Sequence, residues 1–501
     1  MTTLNIDGAG AWAAGHGRKA LLIGLAGALL LAGCAGALPP TPPAVSAPVP
    51  PAWQAALPHQ GSVAGLGQWW QLQGDPLLAE LVAAAQAVSP TAASARARIE
   101  QARAARVAAS GALLPSLDAS ASLSRGRSQQ AGAGGSVPAV TTAQAGLQAA
   151  WELDLAGGSR AGLDAATQRL LGADAQWHEA RVSVAAETAN QYFSLRNCRA
   201  LAEVTQLDAG SRQETARLSA LSTQAGFTAP NVNALAQASA AEARGRTMRQ
   251  SAQCELDLKA LVALSGLEEP DLKQKLASPL ADKGLIAMFL IASVPAEALA
   301  QRPDLFSAGR DVAAASADVG SAEAARYPRL GLSGAVGVAS LRAGGSAFSL
   351  DTWTIGPLSL SVPLFDGGRR AADVQAARAR YDEAAAMYRA RVRQAVQEVE
   401  QALVNLQSAE ARLPEAQAAV DGYRAAVAGT QALYSNGLAS LVQLEDARRT
   451  LLAAETGRLT LQLERQAAGV ALYRAAGGGW SPVLAPLQAD AGPSGMPPRA
   501  P

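Results

Sequence analysis

The feature that most constrains this 501-residue chain is a pair of very long stretches with almost nothing to interrupt an α-helix. Residues 161–223 contain no proline, and a continuous helix there would be roughly 95 Å long at a rise of about 1.5 Å per residue. Between Gly368 and Tyr434 the one strong helix breaker is Pro414, which predicts a kink or a break. Since no compact domain accommodates such helices, we expect a coiled-coil hairpin or a helical tube.

An internal duplication organises the chain. Four landmarks recur in the same order at separations of 210 to 213 residues. The matched pairs are Pro90 with Pro303, Pro115 with Pro328, Gly157 with Gly367, and Gly226 with Gly437. This order predicts two repeats, each with a helix, two strands, a Gly-rich turn, a very long helix, a short tip and a returning helix.

Four segments are strand candidates, and within them residues 117–124 and 358–362 alternate small or apolar side chains with polar ones, which is the period of a half-buried strand. The four segments are Leu117–Ser124, Ala143–Leu155, Leu330–Val338 and Trp353–Phe365. The linkers 131–136 and 343–346 are rich in Gly and Ser, as expected of exposed hairpin loops.

The alternation fits either a soluble sandwich or a membrane barrel. Four strands cannot close a barrel, and lipid does not tolerate open strand edges, so the membrane interpretation requires several chains. A few aromatic residues at or near the strand ends give it modest support: Trp151, Phe348, Trp353 and Phe365.

The long helices also carry packing and turn signals. In the second one, apolar residues recur at steps of four and three, which predicts a heptad seam: Val392, Val396, Val399, Leu403 and Leu406. Nearby charges interleave by sign, which predicts a solvated face: Arg389, Arg391, Arg393, Glu398 and Glu400. Gly226 and Gly437 lie where each long helix should turn back, Pro230 fits the first turn of one returning helix, and Ser440 fits the N-cap of the other.

The N-terminus carries an export signal. Arg18 and Lys19 precede the apolar run 20–31, which is too short to span a bilayer comfortably, although a retained anchor is the alternative. Leu31-Ala32-Gly33-Cys34 resembles the lipobox of bacterial lipoproteins, in which the cysteine is acylated and becomes the mature N-terminus. Ala35 follows instead of Asp, which in the usual sorting rule implies the outer membrane.

These signals divide the chain into five parts. We expect a lipoprotein signal peptide (1–33), a lipidated N-terminus with an extended Pro-rich tether too poor in apolar side chains to pack (34–68), a first repeat (69–270), a second repeat (271–476) and a disordered Pro/Gly tail (477–501). Within the repeats the strands should lie at about 114–155 and 328–366. The helical hairpins should lie at about 160–266 and 368–475.

The two remaining cysteines are placed symmetrically about the first tip. Cys198 and Cys254 each lie 28 residues from Gly226, so an antiparallel hairpin that turns there brings them side by side. An exported chain sits in an oxidising compartment, which favours a disulfide over two buried free thiols.

The sequence contains no catalytic constellation and no metal-ligand pattern. His16, His59 and His178 are scattered, and the glycines at 157–158 and 367–368 lack the Lys-Ser/Thr of a phosphate loop, so they are best explained as strand-to-helix corners. With 42 basic and 41 acidic residues, the chain also lacks the positive excess of a protein that coats nucleic acid.

Several motifs, in order and duplicated, resemble those of the TolC-like outer-membrane efflux factors, and most closely the NodT-type lipoproteins of tripartite efflux systems with pumps of the RND type. They are Leu113-Leu114-Pro115, Trp151-Glu152-Leu153-Asp154-Leu155, Arg302-Pro303-Asp304-Leu305, Pro363-Leu364-Phe365-Asp366-Gly367-Gly368-Arg369 and Tyr434-Ser435-Asn436-Gly437. The resemblance implies a mainly α fold with a small membrane β-barrel. Three chains would each give four strands to a twelve-stranded barrel and four long helical stretches to a periplasmic tunnel.

The resemblance also implies partners and sites. The tips would contact a periplasmic adaptor that is coupled to an inner-membrane pump: Gly226, Phe227, Asn436, Gly437, Leu438 and Ser440. Related channels often carry acidic residues at the inner tip, but 437–443 is uncharged here, so our hypothesis is that Gln443 and Asp446 lie nearest the periplasmic gate. Beyond the lipid on Cys34, no cofactor is implied.

The chain is therefore expected to be a passive exit duct for small molecules in the outer membrane, and not an enzyme. Two alternatives remain at this point. One is an outer-membrane conduit for type I protein secretion, which the lipobox disfavours because such channels are commonly unlipidated. The other is a structural coiled-coil lipoprotein, which would have no use for the paired strands.

Overall fold

A computed structural model describes residues 42, 45–55, 69–72, 75–127, 139–277 and 299–480. The expected signal peptide, the acylation site Cys34, the loop 131–136 and most of the expected tail lie outside the described residues. The chain divides into two compact units. One comprises residues up to 46, 99–172 and 309–387, and the other comprises 47–98, 173–308 and 388 onward.

The order of elements repeats along the chain. The helices are α1 (Trp69–Leu72), α2 (Pro76–Val88), α3 (Pro90–Gly111), α4 (Gly158–Gln224), α5 (Pro230–Ser265), α6 (Glu269–Leu276), α7 (Pro303–Ala324), α8 (Arg369–Ser435) and α9 (Leu441–Ala475). The strands are β1 (Ser116–Gly126), β2 (Val140–Leu153), β3 (Arg329–Ala343) and β4 (Ser346–Ser361). A helix, two strands and a long helical hairpin thus occur twice.

The first unit contains one antiparallel sheet with the strands in sequence order. Leu155 and Phe365 were predicted to end strands, but β2 stops at Leu153 and β4 at Ser361. Both strands end where their partner β3 begins, since Leu153 pairs with Leu330 and Ser361 pairs with Arg329. Beyond each strand a carboxylate accepts backbone N–H groups at the start of the next helix. Asp154 accepts from Arg160 at 2.9 Å, and Asp366 accepts from Gly368 at 2.9 Å. These carboxylates occupy the helix N-termini, as expected of corners and not of phosphate loops.

The sheet differs from the prediction at two further points. β3 and β4 are longer than predicted and are joined by Gly344 and Gly345 alone, both with positive φ. Trp353 was predicted near a strand end, but it lies in the middle of β4 opposite Val336.

Each long helix of the two hairpins, α4 and α8, has 67 residues. Pro414 was predicted to kink or break the helix, and the break is excluded because α8 continues through that residue. Pro414 removes one backbone donor. The helix is nevertheless packed both before the proline, where Leu406 is buried, and after it, where Val420 is fully buried. Tertiary packing therefore overrides the local breaker. Among the described residues, no helix has both the length and the apolar character needed to cross a membrane.

The second unit has its largest core beside α4 and α5. Leu78, Leu81, Tyr192 and Leu261 are fully buried in it, and the Trp69 ring stacks on Tyr473 with centroids 5.0 Å apart. The predicted seam of α8 is confirmed: Val399, Leu403 and Leu406 are buried against residues of α9, and Val392 is buried in a neighbouring cluster.

Two sequence expectations about this seam were wrong. Glu398 and Glu400 are not simply solvated, because Glu398 accepts a hydrogen bond from Arg302 at 2.7 Å and Glu400 accepts backbone N–H groups of the N-terminal segment. That segment was expected to be an unpacked tether, yet Trp53 is only 8% exposed and lies in the α8–α9 seam. One large aromatic side chain and two half-buried residues, Ala47 and Val49, provide the apolar surface that its proline content obscured.

Candidate functional site: the membrane sheet and the hairpin tips

The strand register places apolar side chains on one face of the sheet. Leu147 of β2, Val336 of β3 and Trp353 of β4 are successive neighbours across it, and so are Trp151, Leu332 and Leu358. All six are exposed, from 36% for Trp151 and Leu332 to 74% for Trp353. A contiguous apolar face of this kind on a soluble protein would be a liability, but it suits contact with lipid.

The opposite face of the sheet is polar and small away from the β3–β4 turn, whereas beside that turn it carries Leu341, Phe348 and Leu350. It carries Ser, Thr and Gln side chains from all four strands, including Ser120, Ser122, Gln144, Gln148, Thr352 and Ser359. At its centre Gly146 pairs with Gly337, and a Cβ added to Gly337 would lie 2.8 Å from the Ala145 carbonyl oxygen. This face therefore matches the water-filled side of a barrel wall, with no bulky side chain at that crossing.

The two hairpin tips have the same backbone geometry. Gly226 and Gly437 have φ of 78° and 75°, the left-handed conformation in which glycine is favoured. Phe227 N–H donates to the Ser222 carbonyl at 2.9 Å, and Leu438 N–H donates to the Leu433 carbonyl at 2.8 Å. Each tip is thus a Schellman turn that satisfies the last carbonyls of a 67-residue helix.

The residue after each tip glycine is apolar and strongly exposed. Phe227 is 87% exposed and Leu438 is 75% exposed. In a Schellman turn an apolar side chain at this position usually packs back on its own helix, which these two do not. Both tips therefore offer apolar surface for contact.

The capping role predicted for Ser440 is confirmed, and the structure gives the same motif a second member. The Ser440 hydroxyl accepts the Gln443 N–H at 3.2 Å, while the Gln443 side chain accepts the Ser440 N–H at 2.7 Å. This is a complete capping box. Pro230 occupies the first turn of α5, as predicted. The second tip therefore leads into a capped helix, in which the side-chain oxygen of Gln443 is engaged.

A buried cluster of charges, which sequence reasoning missed, joins the two hairpins near their tips. Arg212 of α4 lies between Asp208, at 2.9 Å, and Glu445 of α9. Arg448 of α9 contacts Glu445 at 3.1 Å and donates to Thr215 of α4 at 3.0 Å. All four charged side chains are 6–10% exposed.

Neutral groups complete this cluster and connect all four helices. Ser239 of α5 donates to Glu445 at 2.5 Å, and Arg448 donates to Gln431 of α8 at 2.6 Å. Buried charges are stable only when paired, so sliding one hairpin past the other would leave these charges buried without a partner. In the sequence these four charges lie among small residues on long helices. Many other charges of the same helices do so too, so residue spacing could not identify the buried ones.

Asp446, which was predicted to lie near the gate, is placed differently from its neighbour Glu445. Its carboxylate is 71% exposed and lies 3.4 Å from Arg449, which is equally open to solvent. Gln443 is exposed on the same side of α9, whereas Leu444 and Glu445 are buried. The two predicted gate residues thus share an exposed face that is backed by the ion cluster.

Cys198 and Cys254 lie side by side between α4 and α5 and are joined by a disulfide, with their Cα atoms 5.5 Å apart. Cys198 is buried, and the side chain of Gln250 donates to its carbonyl oxygen at 3.3 Å. The first hairpin therefore contains a covalent cross-link. Within the part of the chain that the structure describes, no group of three or more His, Cys, Asp or Glu residues is arranged to hold a metal ion.

Comparison with known proteins agrees with this geometry. The family model described as "Outer membrane efflux protein" matches residues 81–267 and 294–478, so its two segments follow the two repeats. The chain is 30% identical over 472 residues to the outer membrane protein OprJ of Pseudomonas aeruginosa, covering 93% of this chain and 96% of OprJ. It is 30% identical to the toluene efflux pump outer membrane protein TtgI of Pseudomonas putida, over 68% of this chain and 71% of TtgI.

A solved structure gives the same result. The CmeC outer membrane channel of Campylobacter jejuni superposes with a TM-score of 0.79 at 25% identity, covering 89% of this chain and 95% of CmeC. The duplicated order of elements, the two-faced sheet and these matches lead to one conclusion: the chain belongs to the outer membrane efflux protein family.

Proposed function

We propose that this chain is the outer-membrane exit duct of a tripartite efflux pump and that it conducts small molecules passively from the periplasm to the outside. The observation that carries the proposal is the sheet, which has one exposed apolar face and one polar face and belongs to a chain whose relatives are efflux proteins of the outer membrane. A duct of this kind performs no bond chemistry, and it needs no cofactor other than a lipid on Cys34.

A homotrimer would give the sheet the closure it needs. In the described chain β1 and β4 each pair on one side only, so their outer edges carry free backbone groups. In lipid such edges are satisfied only by further strands. Three copies of the four-stranded sheet would make the twelve-stranded barrel that the family resemblance implies.

The tips supply the contact surface for the rest of the pump. Exposed Phe227 and Leu438 stand on two turns of the same geometry, which suits repeated contact with a periplasmic adaptor coupled to an inner-membrane pump of the RND type. Gly226, Asn436, Gly437 and Ser440 would set the backbone of this surface. Such preformed turns lose little conformational entropy when they bind.

Gln443 and Asp446 remain our candidates for the gate, on the exposed face of α9 that the ion cluster supports. We expect Asp446→Ala to change single-channel conductance or cation preference, because it would remove a charge from the constriction. The measurement is planar-bilayer recording of the purified protein. Glu415→Ala, which removes an exposed carboxylate elsewhere, in α8, is the matched control. If conductance and gating were unchanged in Asp446→Ala, Asp446 would be dropped from the gate.

The proposed function itself is tested in the cell. Deletion of the gene should increase the accumulation of fluorescent dyes and of antibiotics, and the intact chain should reverse this. Phe227→Asp with Leu438→Asp should fail to restore efflux while inserting normally in the outer membrane, because two buried charges would disfavour the adaptor contact. Unchanged accumulation on deletion, together with no conductance from the purified protein, would contradict the proposal.

A further inference from the structure

The N-terminal segment 47–55, called the strap below, lies along the second hairpin. Ala47 and Val49 pack in a cluster with residues that precede or begin α7 and with α8: Leu299, Leu305, Val392 and Ala395. Further along the strap, Trp53 is buried between α8 and α9. It contacts a cluster from both helices: Val399, Ala402, Leu403, Leu406, Ala468, Leu472 and Ala475. The strap therefore touches both arms of the hairpin.

A carboxylate of α8 fixes the end of the strap. Glu400 accepts the Gln54 N–H at 2.7 Å through one oxygen and the Ala55 N–H at 2.8 Å through the other. Pro48, Pro50 and Pro51 have no backbone N–H and therefore need no acceptor. The two amides that follow Trp53 do need one, and Glu400 provides it. Hydrogen bonds from two consecutive amides to an ionised carboxylate are among the stronger kinds in proteins.

The strap and the helix advance in step. From Val49 to Trp53 an extended chain covers about 13 Å at about 3.3 Å per residue. From Ala395 to Leu403 the helix covers about 12 Å at about 1.5 Å per residue. The strap runs in the same direction as α8, since Ala47 and Val49 pack with Val392 and Ala395 while Trp53 packs with Val399, Leu403 and Leu406. Prolines hold such a segment extended before it docks, which lowers the entropy lost on docking.

We propose that residues 47–55 are a positioning strap which holds α8 against α9, and that its release loosens the second hairpin and lets the closed channel leak. The inference rests on the proposed function for its second half, and on the contacts of Trp53 and Glu400 for its first half. Trp53 and Glu400 act through the helices they hold; neither touches the transported molecule.

The test uses the full-length purified protein and two variants. Trp53→Ala removes the side chain that bridges the two helices, and Glu400→Gln keeps the shape of the side chain but weakens its grip on two amides. Glu415→Gln is the matched control, since Glu415 is an exposed carboxylate on the same helix. Hydrogen–deuterium exchange measures the opening of 392–406 and 468–475, and bilayer recording measures closed-state conductance.

We expect roughly tenfold faster exchange in both segments for Trp53→Ala and a smaller acceleration for Glu400→Gln, with segment 198–254 and the control unchanged. Closed-state conductance should rise severalfold in the same order of variants. Unchanged exchange in 392–406 would contradict the proposal that the strap holds α8 against α9. If Trp53→Ala does not fold, the exchange of Glu400→Gln still tests that proposal.

The two measurements separate the two proposals. Faster exchange with parental conductance would overturn the link between strap and gate. If the parent protein itself did not conduct, the proposed function would fail, while the exchange result would still decide whether the strap holds α8 against α9.

Discussion

The two helical hairpins share a turn but differ in how they are braced. Both tips are Schellman turns with a left-handed glycine, and both long helices have 67 residues. The first hairpin is cross-linked by Cys198 and Cys254. At the 211-residue offset of the tip glycines, the equivalent residues of the second hairpin are Ala409 and Arg465, and Arg465 forms a 3.3 Å ion pair with Glu410.

The base of the second hairpin is also held by one buried arginine that contacts both of its helices. Arg302, at the start of α7, is buried and donates to Glu398 of α8 at 2.7 Å and to the Ala475 carbonyl of α9 at 3.0 Å. The residue equivalent to Arg302 in the first repeat is Ser89. Duplication therefore preserved the turn and the helix length, while a covalent cross-link was added to the non-covalent contacts of the first copy and, at the equivalent positions, not to those of the second.

Removing the disulfide should have the largest effect. For a cross-link between residues 56 apart, the loss of constraint on the unfolded chain is worth about 4 kcal/mol. We expect Cys198→Ser with Cys254→Ser to accelerate hydrogen exchange across 198–254 and to leave α8 and α9 unchanged. A reductant should have no further effect on this variant. Equal exchange in parent and variant would show that the disulfide does not restrain the first hairpin.

Breaking the ion cluster between the hairpins should come next. Glu445→Gln would leave Arg212 and Arg448 buried without their shared carboxylate, which costs about 3 kcal/mol. Exchange should accelerate near both tips, since the cluster connects α4 with α9. Asp446→Ala, on the exposed neighbour, should change stability by less than about 0.5 kcal/mol. Similar losses in the two variants would show that the cluster does not connect the hairpins.

Acid should loosen the base of the second hairpin through Asp304. Burial by itself would raise the pKa of Asp304, but hydrogen bonds and charge from Arg302 outweigh it, and the pKa lies below its ordinary 3.8. The stabilisation is therefore complete above that ordinary value and is lost as the pH falls through the lower folded value. A hydrogen-bonded charge pair contributes about 2 kcal/mol.

The measurement is acid unfolding followed by exchange in α7, α8 and α9. Asp304→Asn should remove the acid-dependent step in these helices and leave the first hairpin unaffected. Persistence of that step in Asp304→Asn would mean that another carboxylate is responsible.

The smallest effect should be shared by the two tips. Gly226→Ala and Gly437→Ala each place a Cβ in a left-handed conformation and should cost about 1 kcal/mol, with equal losses because the two turns have the same geometry. Gly429→Ala, within α8 and with open space around it, should instead stabilise by up to about 1 kcal/mol. Local exchange at 222–227 and 433–438 measures this, and unequal losses would show that the tips are not equivalent.

Several elements followed from the sequence because their causes are local. Alternation located the strands, Gly226 and Gly437 located the tips, and the step of three and four residues located the seam of α8. The pairing of Cys198 with Cys254 followed from their equal separation from Gly226 and from the geometry of an antiparallel hairpin. The strands ended before Leu155 and Phe365 because their partner β3 begins at Arg329, and α8 continued through Pro414 without the break that a local preference allowed.

The sequence by itself thus determined a duplicated chain of strand pairs and helical hairpins, because helix and strand periods and turn glycines act over a few residues. Only the tertiary structure decided which polar residues meet. Arg212 and Glu445 are 233 residues apart, and Glu400 binds amides 345 and 346 residues away. Such contacts depend on the register between helices. A shift of one residue turns a side chain by about 100°, since a helix has about 3.6 residues per turn.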